Sequence, residues 1–176
     1  GVEVAGAPGQ HLMGRDAEGT DAVGIALGGD VTLDDREKQQ IRQLFSDVGN
    51  PAEERDRIAQ AIGLFERLVG PKNGTNDDLG KNPPDAPYSP LGGQLDCISE
   101  STNSTTYLKQ LETAGLLRWH SVDERAVRHR WLFAVHWTAV ISDRGGMQYA
   151  VDSWYGDNGD PAIVLLLEAW YRGEER

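Results

Sequence analysis

Three residues of the 176-residue sequence have the types that nucleophilic catalysis on an amide needs: Cys97, His136 and Asp152. An ionised thiol attacks carbonyl carbon, an imidazole takes and returns protons near neutral pH, and a carboxylate fixes the tautomer of an imidazole. In such a set Cys97 carries the acyl group, His136 moves the proton and Asp152 steadies the imidazolium. Cys97 is the one cysteine, so no intramolecular disulfide and no cysteine-rich zinc site can form. A lone cysteine is more often a small buried hydrophobe than a nucleophile, so placement decides between the two.

Three elements must position these groups. A helix is expected from Asp96 or Cys97 to about Thr113, with Gly115 as its stop. Cys97 then opens the helix, where free backbone N–H groups and the macrodipole favour a thiolate. The early turns are rich in hydroxyls (Ser99, Ser101, Thr102, Ser104, Thr105, Thr106), poor helix formers that need tertiary packing to hold them. Trp131 to Ile141 is aromatic and β-branched and reads as a central strand, with Met147 to Trp154 returning beside it. Asp143-Arg144-Gly145-Gly146 is the hairpin signal between them. A three-residue loop Asp143-Arg144-Gly145, with Gly145 left-handed, places His136 directly opposite Asp152 on one face, about 5 Å apart at Cβ. A two-residue loop would send the two side chains to opposite faces.

Other residues take lesser parts. The Cys97 N–H and the Gln94 side chain are candidate oxyanion donors, and Trp154 and Tyr155 are candidates to line the cleft. Trp131, Trp137, Trp154 and Trp170 otherwise read as core. His120 and His129 are rival bases, but both fall near a polar, charged link from Ser121 to Arg130 and are too scattered to form a metal site with His136. Ile163 to Tyr171 reads as a last strand or helix.

Upstream of residue 94 the chain looks like scaffold. Residues 1–31 read as a loosely packed N-terminal arm that carries an incidental His11, and 32–176 as a single catalytic domain. Within it, 32–70 is a helical pair, 71–93 a connecting loop and 94–176 the core. The first helix should start near Thr32 or Leu33, and Asn50-Pro51 should cap and open the second, which Gly70-Pro71 should stop. A loop as long as 71–93 is often functional and could wall a cleft. Its Asn76-Asp77-Asp78 patch offers oxygens to calcium without the spacing of an EF-hand, and no other cofactor is indicated.

Bulk properties exclude some partners. Apolar residues make up 39% of the sequence and charged residues 26%, the balance of a soluble globular chain with its densest core in the second half. The net charge of −11 argues against nucleic acid and anionic membrane and would steer a basic protein substrate. No apolar run is long enough to cross a bilayer, and no signal-peptide pattern follows Gly1.

Cys97 within Gly92-Gly93-Gln94-Leu95-Asp96-Cys97, His136 within Val135-His136-Trp137-Thr138-Ala139-Val140, and Asp152 within Tyr149-Ala150-Val151-Asp152-Ser153-Trp154 form a pattern. In order and approximate spacing it resembles the transglutaminase-like/papain-like cysteine enzymes, nearest to bacterial transglutaminase-like cysteine proteinases. The resemblance spans residues 92–155, about a third of the chain. The usual Gly-Asp-Cys start is Leu-Asp-Cys here, and the acidic residue expected just after the cysteine stands at Glu100. The resemblance implies an α+β fold, with the Cys-bearing helix packed on an antiparallel sheet and an N-terminal helical pair. It implies a Cys-His-Asp catalytic triad and a thiol hydrolase acting on an amide of a protein or peptide. Transglutaminase-type acyl transfer and an inactive binding or scaffold domain of the same fold are the alternatives. The bacterial periplasm or envelope is favoured over the cytoplasm on the same ground.

Overall fold

The computed structural model describes residues 31–75, 77, 79–81, 97–130 and 134–174. Helix α1 (Asp35–Leu44) starts two or three residues later than the expected Thr32 or Leu33, because Asp34 caps it. The Asp34 carboxylate accepts the Glu37 N–H at 2.8 Å, and Glu37 in return accepts the Asp34 N–H at 2.8 Å. Helix α2 (Pro51–Asn73) is capped by Asn50, which accepts the Glu53 N–H at 2.9 Å, with Pro51 in the first position as expected. Gly70-Pro71 does not stop it. Proline removes one hydrogen bond from a last turn that continues to Asn73, and left-handed Gly74 ends it by donating to the Gly70 carbonyl at 2.8 Å.

The expected third helix is α3 (Cys97–Thr113), with Gly115 left-handed just past its end. Its hydroxyls bond back to its own carbonyls: Thr102 to Ile98 at 2.7 Å, Thr105 to Ser101 at 2.7 Å and Thr106 to Thr102 at 2.9 Å. Such residues cost about 0.5 kcal/mol each against alanine in a helix. Burial of Tyr107, Leu108 and Leu111 offsets that at roughly 2 kcal/mol a side chain. Packing therefore holds α3 together. These three residues join Ile41, Phe45, Ile58, Ile62 and Phe65 of the helical pair and Ala139, Ile141 and Val151 of the sheet in the main core.

The sheet is antiparallel throughout, in the order β1 (His120–Arg130), β2 (Ala134–Asp143), β3 (Gln148–Asp152), β4 (Ile163–Leu166). Alternation gives it two covered faces. Ala139, Ile141 and Val151 meet α3, while Val140 and Ala150 meet Leu167 and Trp170 of α4 (Leu167–Tyr171). The fold is thus α+β, and the segment after Ile163 is both strand and helix.

Two expectations fail here. Ser121 to Arg130 is not a link but the edge strand β1. Its charges suit an edge that must not pair further, and a register break between Asp123 and Ala126 erases the alternation that would have marked it. The hairpin loop is also one residue further on. Ser142 pairs with Gln148, Asp143 donates to the Met147 carbonyl at 2.9 Å, and Gly146, at φ 83°, takes the left-handed position in place of Gly145. The pairing shifts by two residues, so His136 and Asp152 are diagonal rather than directly opposed, still on one face. The N-terminal arm, residues 1–30 of it, lies outside the described residues, while Val31 packs against the core.

The helical pair does more than fill space. The buried Glu54 carboxylate accepts the N–H groups of Arg118, Trp119 and His120 at 2.7, 3.0 and 3.0 Å, and the His120 Nδ1–H at 2.9 Å, which fixes where β1 begins. A side chain at Gly63 would meet the Asp160 carbonyl oxygen at 2.6 Å, so glycine there lets the segment between β3 and β4 dock on α2. Glu54→Ala orphans three backbone donors, and we expect it to cost about 3 kcal/mol or more in urea unfolding, with Glu54→Gln losing less. A loss below about 1 kcal/mol would show that the carboxylate does not hold this junction.

Candidate active site

His136 on β2 and Asp152 at the end of β3 meet because both point to the α4 face. His136 Nε2 donates to Asp152 Oδ2 at 2.6 Å. A carboxylate offers only acceptors to this bond, so the proton sits on Nε2 and Nδ1 is left for a second partner. Cys97, the first residue of α3, lies close enough to the same imidazole to favour its protonated form. The sulfur also lies 3.6 Å from the Val135 carbonyl oxygen. The structure thus brings Cys97, His136 and Asp152 near one another, with the hydrogen bond between the last two.

Electrostatics act on the imidazole from both ends. Burial alone would lower its proton affinity, but the hydrogen bond and charge of Asp152, together with the neighbouring Cys97, outweigh it and raise the His136 pKa above 6.5. Cys97 is only 1% exposed, yet it belongs to neither apolar cluster. Its chain neighbour Ile98 is 46% exposed, and Val135, whose carbonyl faces the sulfur, is 38% exposed.

Trp154 and Tyr155, expected to line a cleft, pack against the imidazole. Its ring centre lies 4.8 Å from that of Trp154 and 5.5 Å from that of Tyr155. The described end of the 71–93 connection packs against the same corner, where Lys81 donates to the Trp154 carbonyl at 2.7 Å. Gln94 lies outside the described residues, as do Asn76 and Asp78 of the acidic patch. Among the described residues, no three His, Cys, Asp or Glu side chains are grouped to hold a metal ion.

Sequence reasoning missed several partners. Trp170, expected as core, donates its indole N–H to Asp152 Oδ2 at 2.7 Å, and the Trp154 backbone N–H reaches Oδ1 at 3.3 Å. An indole carries a donor as well as an apolar body, but only the fold could bring it to Asp152. Ser153, next to Asp152, donates to Glu100 on α3 at 2.7 Å and lies 3.0 Å from Ser104. This buried brace ties the helix that carries Cys97 to the strand that carries Asp152. Of the rival bases, His120 is held by Glu54 and lies 3.3 Å from an Arg55 nitrogen, and His129 is exposed.

A raised folded pKa means that the folded protein holds the His136 proton more tightly than the unfolded chain does. The resulting stability is fully present below about pH 6.5 and is lost as pH rises through the higher folded value. In denaturant unfolding at a series of pH values, the stability gap between wild type and His136→Gln should narrow above about pH 6.5. A gap that stays constant or widens there would contradict the raised pKa. No family model, curated protein or solved structure matches this chain.

Proposed function

We propose that the protein is a thiol hydrolase that cleaves an amide bond of a protein or peptide through an acyl-enzyme on Cys97. In this view α3 and the sheet form a papain/transglutaminase-like core. One observation carries the reading: a buried imidazole hydrogen-bonded to a carboxylate has a thiol beside it, and its proton affinity is raised.

The chemistry follows from that arrangement. His136 takes the Cys97 proton on Nδ1, and the sulfur attacks the carbonyl carbon of the amide. The carbonyl π electrons move to oxygen, and the Cys97 backbone N–H at the helix start is a candidate donor for that charge. As the C–N bond breaks, the imidazolium returns its proton to the leaving amine, and a thioester remains on Cys97. His136 then takes a proton from water as the water attacks the thioester, and gives it to the departing thiolate. Asp152, held by Trp170 and the Trp154 N–H, keeps the imidazole oriented throughout. An amine in place of water would give acyl transfer from the same thioester.

The test uses the full chain at neutral pH with casein and a mixture of unfolded peptides, followed by product and intact-protein mass. Wild type should release peptides and show an acyl mass on Cys97. Cys97→Ala should abolish both, and His136→Ala should slow release by about 10²–10⁴-fold. Added small amine appearing in the products would reveal acyl transfer. A wild type with no acyl mass and no product, or a rate unchanged in His136→Ala, would favour the binding-domain alternative.

A further inference from the structure

A buried guanidinium, with no carboxylate partner among the described residues, stands beside the imidazole. Arg128 pairs with His136 across β1 and β2, so both side chains share a face, and it is 4% exposed. One arm of its fork donates to the Tyr155 hydroxyl at 2.6 Å, and the other donates to the Trp170 main-chain carbonyl. Its guanidinium carbon lies 4.4 Å from the centre of the Trp170 ring. Among the described residues its Nε has no hydrogen-bond partner and no carboxylate pairs with it. Burying such a group unpaired is expensive, and an apolar side chain of similar volume would be at least as stabilising.

Both residues in its grip face the reacting groups. Trp170 gives its indole N–H to the same Asp152 oxygen that holds His136, and the rings of Trp170 and Tyr155 lie 5.6 and 5.5 Å from the imidazole. From this geometry we infer that Arg128 is a positioning residue, whose rigid fork fixes Trp170 and Tyr155 so that Asp152 and His136 stay aligned towards Cys97. The inference rests on the thiol chemistry proposed above. The cation over the indole also draws electrons from the ring, which strengthens the N–H donated to Asp152. Lysine could keep the charge but could not hold two partners in one plane.

The experiment compares full-length wild type, Arg128→Met and Arg128→Lys in three measurements: melting temperature, rate of Cys97 alkylation by iodoacetamide at neutral pH, and the NMR resonance of the Trp170 indole N–H. Arg128→Met should melt at the wild-type temperature or above, because the Trp170 carbonyl keeps the Gly173 N–H at 2.9 Å. Its alkylation should fall about 10-fold or more, the scale set by small misplacements of reacting groups. Its indole resonance should shift, and Arg128→Lys should recover part of the rate. Wild-type alkylation and an unmoved indole resonance in Arg128→Met, at any melting temperature, would overturn the inference. If Arg128→Met does not fold, Arg128→Lys decides: a slower rate with a shifted resonance supports the role, and wild-type values for both overturn it. A wild type that alkylates no faster than His136→Ala would instead defeat the proposed function, while the indole resonance still reports on Arg128.

Discussion

The hydrogen bond between His136 and Asp152 is the constraint around which this half of the molecule is arranged. Both groups are buried, and a carboxylate taken out of water must be matched by donors or it destabilises the fold. Asp152 is matched by the imidazole, the Trp170 indole and the Trp154 N–H. Each donor comes from a different stretch of chain. The short C-terminal helix supplies Trp170, and the turn after β3 supplies Trp154. That turn leads to residues pinned on α2, where Glu66 accepts the Gly159 N–H at 2.9 Å and the Ala59 carbonyl accepts the Ala162 N–H at 3.1 Å. The helical pair, distant from the thiol in sequence, therefore helps to hold the carboxylate that faces the imidazole.

Helix α3 brings Cys97 close to the same ring. Its first turns carry hydroxyls where an ordinary helix would carry alanine or leucine, and several of them are used. Ser104 joins the Glu100–Ser153 brace, while Arg125 reaches across from β1 to Ser101 at 3.2 Å and Thr102 at 2.7 Å. The brace also leaves its mark on Tyr107, whose phenol pKa is pushed well above its usual value by burial first and then by the charges of Glu66 and Glu100. Local helix preference is thus given up for polar contacts that fix the approach of helix to sheet.

Much of this was legible in the sequence because it depends on local rules. Gly115 and the polar run bracket α3, and the aromatic run around His136 marks a strand. The shared face of His136 and Asp152 depends only on whether the hairpin loop has an odd number of residues. The finer register was not legible, since Gly145 and Gly146 can each take the left-handed position and the sequence does not choose between them. Strand β1 was hidden by its charges and its register break. The roles of Trp170, Arg128 and Glu100 were invisible for a different reason. They arise from elements far apart in the chain, and no spacing rule connects residue 128 or 170 to residue 152.

The most direct measurement is an NMR titration of the two His136 ring nitrogens in the intact protein, with Cys97→Ala as the comparison. A carboxylate on one side and a thiol on the other predict that Nε2 carries its proton throughout. They also predict a midpoint for Nδ1 above about 6.5 that falls when the thiol is removed. An unprotonated Nε2, or a midpoint at or below about 6.5 that ignores the loss of Cys97, would mean that the two acidic groups do not share this imidazole.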